Sequence, residues 1–448
     1  MQGRLDTSSA RLYSHSFQRQ VNGDTGGDAM PTQTLKTWIA RRLSVPTRLQ
    51  QVGVTYLLFL MVATQKRSFT HAAQFSGLNK SVFCKWLRDH FNVAAYTLED
   101  FSKKQAKQFS KALETLQGLP WKIAILVDST IQHRASLHPE NAQKFNHGKG
   151  YVIGHQWTNI ILVINGILIP LPPIPFYSQA YCRAQGLDYQ SEHDRVVDYL
   201  TDLNLQDYIG SYDPREVIVL ADSGYDNKKI ENAIINKQWN FIIALSKTRS
   251  VKSETLYLTT PKSRQWCHIA VFFRNHRRLK WQTVRFMTNG AKRKRMEFRI
   301  RHAVGYLRYV GQVHLVCSEF KKRPEGRRKY FACSDLRVRA RQNVLGYRLR
   351  WAVEIFHKDV KQNLGFEDVA THGFHSVQAH VHWVYCAYIL LHMSPSGMSV
   401  EAKSLSDKKR HLQNVLEHTE KRRVLQKLTQ IGGVERYKDE LRQALAGV

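Results

Sequence analysis

The spacing of apolar residues along the chain predicts the order of its helices and strands. Residues 34–117 have apolar positions every three or four residues, which indicates helices. Residues 118–247 alternate continuous apolar runs with helical segments, which is typical of a mixed α/β sheet covered on both faces. Residues 248–335 alternate apolar and polar positions and predict strands, whereas 336–395 are helical again. The last segment, 396–448, predicts basic amphipathic helices.

The beginning of the chain lacks any such periodicity. Residues 1–33 are polar, rich in Gly and Ser, and without the apolar core of a signal peptide. They predict a disordered segment, or an upstream extension if Met30 is the true start. The apolar runs Tyr56–Ala63 and Val381–Met393 are too short to span a bilayer. We therefore expect a soluble protein that does not contact a membrane.

The composition indicates a binding partner and a cellular compartment for the protein. The 448 residues include 67 Lys+Arg against 36 Asp+Glu, which leaves a net charge of +31. So large a basic excess repels itself unless it meets a polyanion, and nucleic acid is the expected partner. The six cysteines are scattered with no C-x-x-C pair, which argues against a zinc ribbon or a disulfide framework and suits the reducing cytoplasm.

One part of the N-terminal helical region has the pattern of a DNA-reading unit. Residues 69–90 predict a helix, a turn at Gly77 and a second helix from about Lys80. In a helix-turn-helix, Lys85 and Arg88 on the second helix would be available to DNA phosphates. A plain helical bundle is the alternative that this pattern leaves open.

Two aspartates follow apolar runs that predict buried strands. Asp128 lies in ILVDST and Asp222 in VLADSGYD, each where the apolar run stops. A carboxylate at the end of a buried strand loses hydration unless a cation compensates it. Capping of a turn or helix is the simpler role for either residue alone. Several carboxylates converging on one point would require divalent cations, and oxygen ligands favour Mg²⁺ or Mn²⁺.

A third acid lies in a basic stretch near the end of the helical region. The stretch YRLRWAVEIFHKDVKQ, residues 347–362, predicts one helix with Glu354 among arginines, lysines and aromatic residues. At about 100° per residue, four polar side chains of this helix fall within an arc of roughly 60°. They are Tyr347, Arg350, Glu354 and Lys361. The arrangement predicts an acid that binds a cation, beside groups that bind an anion.

This spacing resembles that of the DDE transposases of bacterial insertion sequences, in the cut-and-paste group with an RNase H-like catalytic domain. That group carries the motif Y-x2-R-x3-E-x6-K, and the chain matches all four positions and all three gaps. Asp128 precedes Ser-Thr, and Asp222 leads into a glycine and an aromatic residue, as the two aspartates of the group do. One departure is Ser223, where many relatives have Arg.

The resemblance implies an α/β fold with a divided catalytic domain. Residues 118–247 and 336–395 would form an RNase H-like catalytic core, with 248–335 as a β-rich insertion. A helical DNA-binding domain, 34–117, would precede the core, and a basic helical region, 396–448, would follow it.

The resemblance also implies roles for individual residues. Asp128, Asp222 and Glu354 would be catalytic and would hold two Mg²⁺ or Mn²⁺ ions. Tyr347, Arg350 and Lys361 would bind phosphates near the cleaved end of the element. Trp281, in the insertion, would stack on a base flipped out of the duplex.

The function implied is that of a DNA transposase. It would bind the terminal inverted repeats of its element on double-stranded DNA, pair the two ends as a homodimer, cut them, and join them to target DNA. It would work in the bacterial cytoplasm, at the nucleoid. Two alternatives stay open: an RNase H-like endonuclease that cuts without transposing, and a domesticated DNA-binding relative.

Overall fold

The structure is a computed structural model that describes most of the chain. The described residues are 32–148, 150–253, 266–276, 279–287, 295–320, 328–369, 371–393, 404–431, 433–435 and 438–439. The predicted disordered or upstream segment therefore lies almost wholly outside the described residues.

In the described residues, five α-helices precede the first strand. They are α1 (Thr32–Ala40), α2 (Thr47–Val62), α3 (Phe69–Ser76), α4 (Lys80–Asp89) and α5 (Phe91–Phe109). The turn between α3 and α4 contains Gly77 in the left-handed conformation, with φ 71°. Ser68 and Asn79 begin the two helices, because their side-chain oxygens accept backbone N–H groups of the first turn.

One mixed sheet occupies the middle of the described structure. Its strands are β1 (Ile123–His133), β2 (Gln143–His147), β3 (Gly150–Ile164), β4 (Ile167–Pro170), β5 (Ile174–Pro175), β6 (Val217–Ala221), β7 (Asn240–Leu245), β8 (Ser250–Lys252), β9 (Cys267–His268), β10 (Gln282–Met287), β11 (Arg295–Leu307), β12 (Gly311–Phe320) and β13 (Lys329–Cys333). The order is β2-β3-β1-β6-β7-β13-β12-β11-β8-β9, with β10 on β11 and with β4 and β5 on β3. The β1–β6 and β6–β7 pairs are parallel, and the other pairs are antiparallel.

Helices cover both faces of this sheet. The α-helices that follow β5 in the described residues are α6 (Gln179–Gln185), α7 (Glu192–Asp202), α8 (Gln206–Ile209), α9 (Lys228–Asn236), α10 (Ile269–Asn275), α11 (Ala340–Arg348), α12 (Trp351–Asn363), α13 (Phe374–Met393) and α14 (Leu405–Ile431), of which α14 packs on other helices. Alternate strand residues belong to two different apolar cores: Leu126 and Leu220 lie in the core with α11–α13, whereas Val127 and Ala221 lie in the core with α7, α9 and α10. The predicted mixed α/β architecture is confirmed, and it is consistent with an RNase H-like domain.

The β-rich segment lengthens the same sheet. β13 pairs with β7 through Ala332 and Ile243, and β12 and β11 follow outward. The segment between β7 and α11 therefore continues the hydrogen-bond ladder that begins at β1 and β6.

Two local predictions were wrong. Asp128 was placed at the end of its strand, but β1 continues five residues further, to His133, because β3 still pairs with it after β6 has stopped. The stretch 347–362 was predicted to be one helix, but α11 ends at Arg348 and α12 begins at Trp351.

The most apolar helix lies inside the protein. α13 contains the run Val381–Met393, and nearly all of its side chains are buried against the sheet and the N-terminal helices. Within the described ranges, no helix combines the length and the apolarity needed to cross a membrane.

Candidate active site

The two aspartates lie side by side where the parallel part of the sheet ends. The last parallel pair of β1 and β6 is Val127 with Ala221, so Asp128 and Asp222 are the next residues on neighbouring strands. Neighbouring strands are about 5 Å apart. Asp222 keeps an extended backbone, with φ −83° and ψ −176°. Alternation along both strands therefore directs the two carboxyls toward the face covered by α11–α13.

Helix α12 places the third acid on this face. Ligand atoms of Asp128, Glu354 and His357 all lie within 4.8 Å of one another. Glu354 and His357 are three residues apart, so they occupy the same side of α12. Two carboxylates and one imidazole nitrogen at this separation are a suitable set for a divalent cation that accepts mainly oxygen ligands, such as Mg²⁺ or Mn²⁺.

A buried guanidinium lies between two of the acids. Arg350 Nη1 is 2.9 Å from Asp128 Oδ2, and Nη2 is 3.3 Å from Glu354 Oε1. The Arg350 side chain is only 12% exposed, and its Nε has no hydrogen-bond partner among the described residues. A positive charge is thus held where the carboxylates converge, which is the electrostatic requirement that a metal ion would also satisfy.

The break between α11 and α12 positions this arginine. Leu349 N donates to Gly346 O at 2.9 Å and Arg350 N to Tyr347 O at 3.1 Å, so the chain tightens into three-residue turns without leaving the helical region. The Tyr347 ring packs on Phe331 of β13, with ring centroids 4.4 Å apart. The Arg350 guanidinium carbon is 5.8 Å from the Tyr347 ring centroid. Tyr347 therefore connects the arginine to the sheet.

Asp222 is fixed by its own turn. Its Oδ1 accepts a hydrogen bond from Gly224 N at 2.7 Å and so begins a short 3-10 turn, Ser223–Tyr225. The capping role expected for a lone aspartate is therefore present. It leaves the second carboxylate oxygen, Oδ2, without a hydrogen-bond partner among the described residues, so this atom is available to a cation.

Two residues of this site, His357 and Asn159, were not predicted from the sequence. His357 Nε2 lies at hydrogen-bond distance, 2.9 Å, from the Asn159 side-chain amide, and Asn159 is the residue of β3 that pairs directly with Asp128. Tyr385 of α13 in turn donates to Asn159 Oδ1. Burial, with smaller effects of Lys361 and Arg350, lowers the pKa of His357 to about 3, so the imidazole is neutral. The E-x-x-H spacing was visible in the sequence, but the Asn159 pairing depends on strand register.

Burial has the largest effect on the ionisation of Asp128. Burial raises the pKa of Asp128 to about 7; the charge of Arg350 opposes this rise, and the charges of Glu354 and Asp222 add to it. A carboxyl of this kind is half protonated near neutral pH, and its proton competes with any cation that binds the same oxygens.

The affinity for divalent ions should therefore depend on pH. We expect the Mn²⁺ dissociation constant to rise up to about tenfold per pH unit as the pH falls from 7 to 5, and to level off above about 8. Electron paramagnetic resonance of free Mn²⁺ measures this without DNA. A constant affinity from pH 5.5 to 8 would contradict the assignment of Asp128 as a ligand.

The predicted DNA-binding residues are distributed over three parts of the structure. Lys361 Nζ donates to the backbone oxygen of Ile131 on β1 at 2.7 Å and lies 3.1 Å from Glu367 Oε1, so it is close to the acids. Lys85 and Arg88 are exposed on α4, and Arg88 is paired with the adjacent Asp89 at 2.7 Å.

Trp281 lies among arginines on the strands added to the sheet. The guanidinium carbons of three arginines lie 4.2–5.8 Å from the centroid of its ring. They are Arg299, Arg301 and Arg328. The ring is partly buried.

Part of the chain is similar to a known protein domain. Residues 189–390 match the model of the transposase DDE domain. The matched range includes Asp222 and Glu354, whereas Asp128 precedes it. A comparison with curated proteins gives no significant match. The match over residues 189–390 supports a DDE transposase.

Proposed function

We propose that the protein is a DNA transposase that binds the terminal inverted repeats of an insertion sequence and catalyses metal-dependent cleavage and strand transfer. The observation that carries the proposal is the convergence of Asp128 and Glu354 on the buried Arg350, with Asp222 on the neighbouring strand. A transposase needs such an acidic site next to basic groups, because its substrate is a phosphodiester.

Asp128, Asp222 and Glu354 would hold two Mg²⁺ or Mn²⁺ ions in this proposal. When bound, these ions would supply the Lewis acidity needed to activate a water or a 3′-hydroxyl and to stabilise the leaving oxygen of the phosphodiester. The chain's own contribution is to hold the three carboxylates in place and to keep His357 neutral through burial. The Asn159 amide, paired across the strands with Asp128, orients the His357 ring.

Arg350 would have two partners in succession. Without a cation it neutralises Asp128 and Glu354. If a cation held those oxygens, the guanidinium would be available to a DNA phosphate, for which its planar fork of donors is well suited. Tyr347 and Lys361, on either side of Arg350 in sequence, would bind neighbouring phosphates.

A second group of DNA contacts would lie around Trp281. Glu319 pairs with Arg299, and its Oε2 is 2.9 Å from Arg328 Nε, so one carboxylate serves two guanidiniums. Arg301 packs closest to the Trp281 ring, at 4.2 Å, and its Nε has no hydrogen-bond partner among the described residues. We propose that these arginines bind the DNA backbone and that Trp281 contributes to DNA binding mainly by supporting them.

Loss of one arginine here should change the salt dependence of DNA binding. We expect Arg301→Ala to weaken binding and to reduce the slope of log K against log salt by about 0.9, which corresponds to one phosphate. Fluorescence anisotropy on a labelled duplex, between about 50 and 200 mM salt, measures both. Arg215→Ala is the control, since Arg215 is 70% exposed and paired with Asp213 at 2.8 Å. Equal slopes for Arg301→Ala and the unmodified chain would remove Arg301 from the interface.

The proposed reaction requires the two ends of the insertion sequence and a target DNA. We propose that two copies of the chain pair the ends as a homodimer. The test incubates the protein with duplexes that carry the sequences flanking its gene, Mg²⁺ and a target plasmid, and then sequences the junctions. Joined products with short target duplications are expected. Cleavage without joining would favour the endonuclease alternative, and binding without cleavage would favour the domesticated relative.

A further inference from the structure

The loop that contains Asp222 is held by contacts on the face of the sheet opposite α12. This loop, residues 222–229, leads from β6 through the short 3-10 turn to the start of α9. Asp222 extends toward the face covered by α12, whereas Tyr225 turns to the opposite face and is 3% exposed in the core with α7 and α9. Contacts that hold Tyr225 therefore restrict the movement of the loop that contains Asp222.

Three consecutive residues at the start of α7 contact this loop. Glu192 Oε1 accepts a hydrogen bond from Tyr225 OH at 2.8 Å. His193 Nε2 donates to Gly224 O at 2.7 Å, and its Nδ1 lies 3.1 Å from Asn227 Nδ2. Asp194 Oδ1 accepts from Lys229 Nζ at 2.6 Å. We call Glu192, His193 and Asp194 the α7 clamp.

Glu192 also binds the strand next to the first aspartate. Its Oε1 accepts from Thr158 Oγ1 at 2.7 Å, and its Oε2 accepts from Gln156 Nε2 at 2.7 Å. Thr158 of β3 pairs with Ser129, the residue that directly follows Asp128. One carboxylate therefore connects the neighbour of Asp128 to the loop of Asp222.

We propose that Glu192 is a positioning residue for the metal site, setting the separation of Asp128 and Asp222 through Thr158 and Tyr225. The proposal rests on the proposed function, because it assumes that the two aspartates share a cation. When no cation is bound, Arg350 pairs with Asp128 and Glu354 but forms no ion pair with Asp222 in the described structure, so repulsion between the carboxylates still tends to move Asp222 away. A clamp behind the sheet opposes that movement and keeps the ligands ready to bind.

The test removes one hydroxyl behind the sheet and measures metal binding without DNA. Tyr225→Phe keeps the buried ring but loses the bond to Glu192. We expect Mn²⁺ affinity, measured by electron paramagnetic resonance, to fall about tenfold, the lower end of the range for partners of metal ligands. Tyr212→Phe is the matched control: its hydroxyl bonds Trp239 Nε1 at 3.3 Å, away from the loop, and affinity should stay unchanged.

Substitutions of Glu192 itself should lower the Mn²⁺ affinity by different amounts. Glu192→Ala should weaken Mn²⁺ binding by up to about 100-fold, and Glu192→Gln, which keeps an oxygen for Tyr225 and Thr158, should lose less. Circular dichroism melting identifies a Glu192 variant that fails to fold. In that case the Mn²⁺ affinity of Tyr225→Phe tests the positioning role by itself. Unchanged Mn²⁺ affinity in folded Tyr225→Phe would overturn the positioning role.

One further variant separates this inference from the proposed function. Asp222→Asn should lose Mn²⁺ affinity whether or not the clamp matters. If Asp222→Asn binds Mn²⁺ normally, the metal assignment itself fails. If it loses Mn²⁺ while Tyr225→Phe does not, only the role of the α7 clamp fails.

Discussion

Glu354→Gln should abolish Mg²⁺-dependent DNA cleavage, with a loss of rate of at least about 10³-fold. A cation contributes several kcal/mol of charge stabilisation in a phosphodiester reaction, and each 1.36 kcal/mol corresponds to about a tenfold change in rate. The substitution keeps the size of the side chain and removes only the negative charge from the site. DNA binding, which depends on the surrounding bases, should change by less than about threefold. Cleavage of a duplex carrying an element end and anisotropy of the same duplex measure the two effects.

A second acid on the same helix provides the control. Asp359 lies on α12, and its Oδ1 accepts a hydrogen bond from Asn363 Nδ2 at 3.2 Å, away from the acid cluster. Asp359→Asn should therefore keep the cleavage rate within about twofold of the unmodified chain. Rapid cleavage by Glu354→Gln, or complete loss in Asp359→Asn alone, would contradict the assignment of the third acid.

Arg350→Ala should produce the largest change in stability. Removing this guanidinium leaves Asp128 buried without its cationic partner, and breaking a buried pair costs about 3–5 kcal/mol. The pKa of Asp128 already exceeds the unfolded value, so the folded state binds the extra proton and stability falls as pH rises through the interval between the two values. Without Arg350 this pKa should rise further, and the loss should be greater at pH 8 than at pH 6. Urea denaturation at both pH values measures it.

Divalent cations should rescue this variant more than the unmodified chain. In Arg350→Ala a bound cation no longer competes with the guanidinium, so millimolar Mg²⁺ should raise the free energy of unfolding by a larger amount. Arg215→Ala, which removes an exposed arginine, should be as stable as the unmodified chain within about 1 kcal/mol. Equal Mg²⁺ stabilisation of Arg350→Ala and the unmodified chain would show that Arg350 does not occupy the position of the cation.

Sequence patterns could predict the acids because each has a local signature. Asp128 and Asp222 follow apolar runs, and the helix motif gives Glu354 a fixed distance from Arg350. The break after Arg348 could not be predicted, because every residue there keeps helical dihedral angles and only the hydrogen bonds shorten from four residues to three.

The other parts of the site depend on long-range pairing. Asn159 reaches His357 only because β3 pairs with β1 in the register that sets Asn159 opposite Asp128. A shift of one residue would turn Asn159 to the other face. Glu192 likewise contacts Tyr225 because α7 packs against α9, the helix that follows the loop of Tyr225, and no local spacing encodes that contact.

The pairing of the strands after β7 also depends on contacts between residues far apart in sequence. The strands after β7 alternate apolar and polar residues, which predicts strands without predicting their partners. Cys333 of β13 pairs with Ile242 of β7, across some 90 residues of chain. Pairing between strands so far apart in sequence depends on how the sheet and helices pack together, which local periodicity does not indicate.

The most direct test of the account is the position of a bound cation. Crystals of the protein grown with Mn²⁺ should give an anomalous peak about 2.1 Å from carboxylate oxygens of Asp128 and Glu354. The Arg350 guanidinium should then have moved away from Asp128. An anomalous map without a peak between these carboxylates, with Arg350 still paired to both, would contradict the account.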